Sequence, residues 1–281
     1  RCNKPDGLGA KRVVIFWIDI VTQQVKGLTR LSIYTFFVLI NRNTRLPLLQ
    51  FYVIFNLSCL WRMKMMDLDG PRQSPSNGRK PNGLVILLHG YGSDGNDLIG
   101  LAPIMGRDLP DVEFVSPHAP FPCEMSPAGR QWFSLVDRSV ESMVAGVTMA
   151  SQVLNAFIDD ELKKSSLNPG KLALVGFSQG TMLSLFLGPR RESAIAGILG
   201  YSGRLIAPEL LGQEVKTRPP VTLIHGASDE MVPASSLDDA VKGLSAVGIK
   251  AESELRPGLG HSIDQQGLNI GTAFLKRILN G

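Results

Sequence analysis

From residue 63 onward, short strand-like runs, most of them apolar, alternate with stretches whose apolar residues recur every three or four positions. The short runs are Leu84–Leu88, Val112–Val115, Leu172–Val175, Ile195–Leu199, Val221–His225 and Lys250–Leu255, each of strand length. The clearest helical stretch aligns Val140, Met143, Val144, Val147, Leu154, Phe157 and Ile158 on one face. Leu98–Met105, Leu237–Leu244 and Ile270–Ile278 read the same way. Strands apolar on both faces, alternating with helices, predict an α/β fold: a mostly parallel sheet covered by helices on both sides. Ligands of such sheets bind at the carboxyl ends of the strands. The 219 residues of 63–281 suit one domain with a single core. No insertion is long enough for a large lid domain, so the site is expected to be open.

Residues 1–62 follow a different pattern. Their apolar runs, Val13–Trp17, Ile33–Ile40 and Leu46–Trp61, are not punctuated like those of the domain. Charge divides at the same place. The leader holds 9 basic and 2 acidic residues, a net of +7, whereas 63–281 holds 20 and 23, a net of −3. The pI of about 9.0 therefore belongs to the leader, and it is no argument for nucleic-acid binding by the domain. The uncharged run of 46–61 is shorter than the roughly 20 residues of a membrane span and contains Pro47, Gln50 and Asn56. No small-residue cleavage site follows, as a secretory signal would require. The first methionine is Met63, with Met65 and Met66 close behind. Residues 1–62 are expected to be translated upstream sequence or a vector-derived extension, with a membrane anchor as the alternative.

Chemistry enters with Gly176-Phe177-Ser178-Gln179-Gly180, between the run Leu172–Val175 and the helix-like Thr181–Leu187. Strand, sharp turn and helix in that order expose a serine hydroxyl on a strained backbone, and the glycines make room for the turn. The bland reading is a glycine-rich turn with Ser178 as a cap. Partners decide between the two, because a serine hydroxyl is a poor nucleophile without a base and an orienting acid. Of four histidines (His89, His118, His225 and His261), His261 lies on a glycine-bounded loop after the last strand, from where it can swing over the carboxyl end of the sheet. The acid is expected at Asp229, after the strand Val221–His225, with Glu230 as runner-up; capping of the next helix is the structural alternative for both. His225 reads as a buried strand-end histidine. A developing oxyanion needs preorganised donors. The N–H of Gln179 is one candidate, and the N–H of Tyr91, in the glycine-rich loop after Leu84–Leu88, is the other. His89 then shapes that loop. The loop lacks the lysine and spacing of a phosphate-binding loop. Trp132 and Phe133 wall the substrate pocket or pack the core, and Gln131 is a candidate contact to the acid's loop.

Of the cysteines Cys2, Cys59 and Cys123, only Cys123 lies in the domain, which predicts no disulfide framework and a reducing, cytoplasmic setting. No Cys/His cluster has metal-ligand spacing, so neither metal nor cofactor is expected. The expected partners are a small-molecule ester and, at most, a second copy of the chain. No nucleic acid is expected, and a membrane enters only if the leader is an anchor.

Five segments carry a family likeness: Leu87–Asp97, Pro117–Pro120, Gln131–Phe133, Gly176–Gly180, and the paired Gly226–Pro233 and Gly258–Ser262. From about Leu68 to the C-terminus they resemble the acyl-protein thioesterase / phospholipase–carboxylesterase family of α/β-hydrolases, and Tyr91 with Asn96-Asp97 is more similar to its bacterial carboxylesterases. The resemblance implies an α/β-hydrolase fold. It also implies a Ser178–Asp229–His261 triad with Tyr91 and Gln179 as oxyanion-hole residues, and ester hydrolysis. Residues 1–62 have no counterpart in that pattern. A chain shortened to begin at Met66 is therefore expected to stay soluble and retain ester hydrolysis. Insolubility or inactivity, against an active full chain, would make the leader part of the working protein.

Overall fold

The computed structural model describes residues 68–280 with their side chains, and 13–25 and 28–40 as backbone. The chain divides into two units, Arg1–Phe55 and Asn56–Gly281. In the first, β1 (Val13–Val25) and β2 (Leu28–Ile40) pair antiparallel from Val13↔Ile40 to Val25↔Leu28. The sequence marked apolar runs here but not this pairing. The run Leu46–Trp61, and with it the anchor reading, lies outside the described residues. Among the described residues no helix is long and apolar enough to cross a membrane.

The second unit is built on a seven-stranded sheet. Its strands are β3 (Arg72–Gln73), β4 (Gly83–Leu88), β5 (Val112–Val115), β8 (Leu172–Phe177), β9 (Gly197–Tyr201), β10 (Val221–Gly226) and β11 (Ala251–Arg256). A separate hairpin pairs β6 (Phe121–Pro122) with β7 (Arg130–Gln131). The sheet order is β11-β10-β9-β8-β4-β5-β3, parallel except for the edge strand β3, which runs antiparallel to β5. All six predicted strands are present within two residues of their expected starts. The two-residue strands β3, β6 and β7 are too short to leave a periodic signal.

Six of the seven helices here are α1 (Gly95–Leu98), α2 (Ala102–Met105), α3 (Val140–Ser165), α4 (Gln179–Leu187), α5 (Pro208–Glu214) and α6 (Ser235–Ala246). The last is α7 (Gln265–Leu279). The predicted helix Leu98–Met105 is instead two short helices joined by a 3-10 turn at Ile99–Leu101. Side-chain alternation along β4 explains why its run is apolar throughout. Leu84, Ile86 and Leu88 join a core with α3, α4 and α6, while Val85 and Leu87 join a second core with α1, α2 and α7. The two cores lie on opposite faces of the sheet. Each fully buried aliphatic side chain contributes about 1.5–3 kcal/mol relative to exposure, so both faces stabilise the central strand.

The carboxyl ends of β4 and β8 meet the start of α4 with almost no space between them. A Cβ on Gly180 would lie 1.8 Å from the carbonyl oxygen of Leu88, and one on Gly176 would lie 2.4 Å from the backbone of Gly180. Both contacts are to backbone, which cannot move aside as a side-chain tip can. Gly180→Ala is expected to lower unfolding free energy in urea by at least about 2 kcal/mol through overpacking. Gly212→Ala, on α5 with no atom near the added methyl, is expected to be neutral or to stabilise by up to about 1 kcal/mol.

Candidate active site

Ser178 directly follows β8 and caps α4 with φ 52° and ψ −111°, a backbone region that side chains disfavour. Its surroundings over-determine that conformation. Its N–H donates to Tyr201 O at 2.9 Å, and its carbonyl accepts from Met182 N at 3.1 Å. The Thr181 hydroxyl lies 2.8 Å from the carbonyls of both Gly176 and Tyr201, and accepts from the N–H of Tyr201 at 3.0 Å. At the end of the neighbouring strand β9, Ser202 is also left-handed, with φ 47°. Its N–H donates to Ile224 O at 2.9 Å, and its buried hydroxyl has no hydrogen-bond partner among the described residues. Sequence reasoning passed over Ser202; the small pair Ser202-Gly203 at a strand end was the available signal.

Asp229 lies in the loop after β10 with its carboxylate buried. Its Oδ1 accepts from the backbone N–H groups of Met231 at 2.9 Å and Val232 at 2.8 Å, and its Oδ2 accepts from His261 Nδ1 at 2.7 Å. Burial pushes the Asp229 carboxyl up; the Val232 N–H, the His261 imidazole and the Met231 N–H outweigh it and hold the group below the usual range. The carboxylate thus closes its own loop, and α6 begins at Ser235 without a side-chain cap. Glu230, the runner-up, is exposed.

The Asp229 and His261 loops are stitched together by backbone. Ala227 N–H donates to Arg256 O and Ser228 N–H to Leu259 O, both at 2.9 Å. A Cβ on Gly226 would lie 2.3 Å from the carbonyls of Leu259 and Gly260, so only glycine allows that approach. The His261 loop is held at its ends by Arg256 and Asp264, paired at 3.1 Å, and Asp264 also caps α7 through Gly267 N–H. The imidazole of His261 packs against the ring of Phe177, the residue before Ser178, with centroids 4.9 Å apart.

The loop after β4 presses on the same point. A Cβ on Gly90 would lie 3.1 Å from the Phe177 ring and 3.4 Å from Ser178 Cβ, so Tyr91 follows a residue in contact with the serine. His89 is buried and fixes this loop: Nδ1 donates to Gly90 O at 2.8 Å and Nε2 accepts from Ala119 N–H at 3.0 Å. Burial lowers the His89 pKa, against the raising effect of the Gly90 hydrogen bond, so the ring stays neutral. The Tyr91 hydroxyl donates to Glu124 at 3.1 Å. Burial first, then its Cys123 and Glu124 neighbours, push the phenol up.

Trp132 and Phe133 are 0 and 2 % exposed and belong to the core on the α3 side, so they offer no surface to a substrate. The pocket-wall reading gives way to packing, because both are drawn inward by hydrogen bonds at their own backbone. Trp132 N–H donates to Gln179 Oε1 at 2.9 Å, Gln179 Nε2 donates to Phe133 O at 2.7 Å, and Trp132 Nε1 donates to His89 O at 3.0 Å. The segment thereby couples Gln179 to the loop of Tyr91. Gln131 accepts from Glu124 N–H at 3.0 Å, within its own hairpin rather than from the acid's loop.

A cavity of about 200 Å³ is lined by Val140 and Met143 of α3 and by Leu205, Ile206 and Pro208 after β9, with Arg138 and Arg204. Its loop starts beside the backbone of Ser178: a Cβ on Gly203 would lie 3.0 Å from Ser178 O. Among the described residues no group of three or more His, Cys, Asp or Glu side chains is spaced to hold a metal ion.

The sequence model of the Phospholipase/Carboxylesterase family matches residues 74–279. The chain is 29 % identical over 212 residues to acyl-protein thioesterase 1 of Gibberella zeae, covering 69 % of this chain and 90 % of that one. It is 41 % identical to esterase PE8, whose crystal structure superimposes with a TM-score of 0.73 over 76 % of this chain and 100 % of PE8. Arabidopsis thaliana SOBER1 is 26 % identical, with a TM-score of 0.64 over 70 % of this chain and 99 % of SOBER1. With the fold, the sheet-end site and these relatives in agreement, the chain belongs to the phospholipase/carboxylesterase family and is a hydrolase of ester bonds.

Proposed function

We propose that the protein is a serine carboxylesterase that cleaves short- to medium-chain acyl esters through an acyl-enzyme on Ser178. The observation that carries this reading is the 2.7 Å hydrogen bond from His261 Nδ1 to Asp229, beside a serine held at φ 52°. With Nδ1 donating to the carboxylate, Nε2 is left with a lone pair to take a proton.

His261 Nε2 takes the Ser178 proton as Oγ attacks the ester carbonyl. Asp229 holds the imidazole in that tautomer and stabilises the imidazolium. The N–H groups of Tyr91 and Gln179 receive the oxyanion; both sit on backbone braced through Trp132, so little reorganisation accompanies the reaction. His261 then gives its proton to the leaving alkoxide, and the alcohol departs. Water attacks the acyl-enzyme by the same route, releasing the acid and restoring Ser178. Ser178→Ala is expected to lower turnover of p-nitrophenyl butyrate by about 10³-fold or more with an unchanged circular dichroism spectrum. Near-normal turnover would sink the assignment.

For the acyl chain, the cavity between α3 and the loop after β9 is the favoured berth. Its volume is about 200 Å³, and Val140, Met143, Leu205, Ile206 and Pro208 give it an apolar lining. That suits a short or medium chain. Val140 lines it while remaining 60 % exposed, so it can be enlarged without repacking the core. Val140→Trp is expected to cut kcat/KM for an octanoate ester at least about tenfold more than for an acetate ester. Equal losses on both would place the chain elsewhere. The name of the Gibberella zeae relative favours a second reading, thioester cleavage on an acylated protein or lysophospholipid cleavage, with the same residues. A palmitoyl thioester turned over faster than p-nitrophenyl butyrate would select it.

A further inference from the structure

His225, the penultimate residue of β10, is 2 % exposed and has no part in the proton transfers above. Its Nε2 lies 2.9 Å from the carbonyl oxygen of Val232. A carbonyl only accepts, so Nε2 carries the proton. The same atom lies 3.3 Å from Asp229 Oδ2, the oxygen that receives His261 Nδ1. Resting on the Ser178–His261–Asp229 reading, we infer that His225 is a positioning residue for the acid: its Nε2–H pins the Val232 turn, and that polar edge of the ring lies beside the oxygen that holds His261.

The effect on the chemistry has a definite sign. Oδ1 is already occupied by the N–H groups of Met231 and Val232. Oδ2 accepts from His261 Nδ1 at 2.7 Å, and the Nε2 of His225 lies 3.3 Å from it as a nearby polar group. A donor to a carboxylate favours its ionised form and makes it a weaker acceptor for any other proton. Without His225, Oδ2 binds the protonated His261 more tightly. Less of the imidazole is then available as base. Asp229 is faced by His225 from β10 and by His261 from the loop before α7. Glu230, next in the chain, is exposed, and Arg256 and Asp264 are paired with each other at 3.1 Å. His225 is therefore the group whose removal reads most directly on that pair.

The test is the pH profile of kcat/KM on p-nitrophenyl butyrate for the full chain, His225→Phe and His225→Gln, with Ser178→Ala as reference. His225→Phe removes the N–H and keeps an aromatic ring. It is expected to move the acid limb up by about half a pH unit or more and to lower kcat about tenfold, with KM within about twofold. His225→Gln, which returns an N–H near the same point, is expected to restore the limb. A limb for His225→Phe that overlays the parent, beside an inactive Ser178→Ala, overturns this inference alone; an active Ser178→Ala overturns the site reading beneath it. If His225→Phe does not fold, nitrogen NMR of the parent protein decides. The proton of His225 on Nε2 near neutral pH supports the proposal, and a proton on Nδ1 overturns it.

Discussion

Gly180 lies so close to the carbonyl of Leu88 that not even a methyl group fits between them. That contact fixes the distance between β4, β8 and α4, and much else depends on it. Because α4 begins so near the sheet, the chain must turn sharply at Ser178, and the left-handed backbone there is the result. The same closeness brings Gly90 against Ser178 Cβ, so the loop from β4 and the turn from β8 share one small volume. Strain at one residue is maintained by packing among its neighbours. Thr181 adds to this by tying the turn to β9 through the carbonyls of Gly176 and Tyr201.

The electrostatics follow from where the second pair of loops is stitched. Asp229 is a buried carboxylate, a costly group unless its charge is met by donors. Three N–H groups donate to it, two from its own turn and one from His261, and the Nε2 of His225 lies 3.3 Å away. The carboxylate is thus held ionised without any arginine or lysine. A full cation beside it would weaken the attraction that orients His261 far more than these neutral donors do.

Much of this arrangement was legible in the chain, because periodicity and strand ends are local properties. Continuous apolar runs marked β4, β8, β9 and β10, and the ends of β10 and β11 marked the loops whose Asp229 and His261 are hydrogen-bonded at 2.7 Å. What escaped was set by contacts between distant segments. Trp132 and Phe133 have the composition of a pocket wall, but hydrogen bonds to Gln179 and His89 draw them inside. The hairpin of β6 and β7 and the edge strand β3 are two residues each, below the length at which alternation can be seen. His225 was readable as buried, yet its aim at Asp229 depends on how the loop after β10 folds back. The pairing of β1 with β2 was hidden because apolar runs alone do not reveal register.

The outermost strand, β11, carries the loop that bears His261, and among the described residues no further strand is paired to its outer side. An open strand edge invites another chain to add itself. Here the strand reads Ala251-Glu252-Ser253-Glu254-Leu255-Arg256, with Glu252 bound to Arg277 at 2.7 Å and Glu254 to Arg256 at 3.1 Å. A strand added at this edge would have to lie along those ion pairs and strip water from them. The charges therefore act as a fence. They discourage the addition of a strand beside the loop that bears His261.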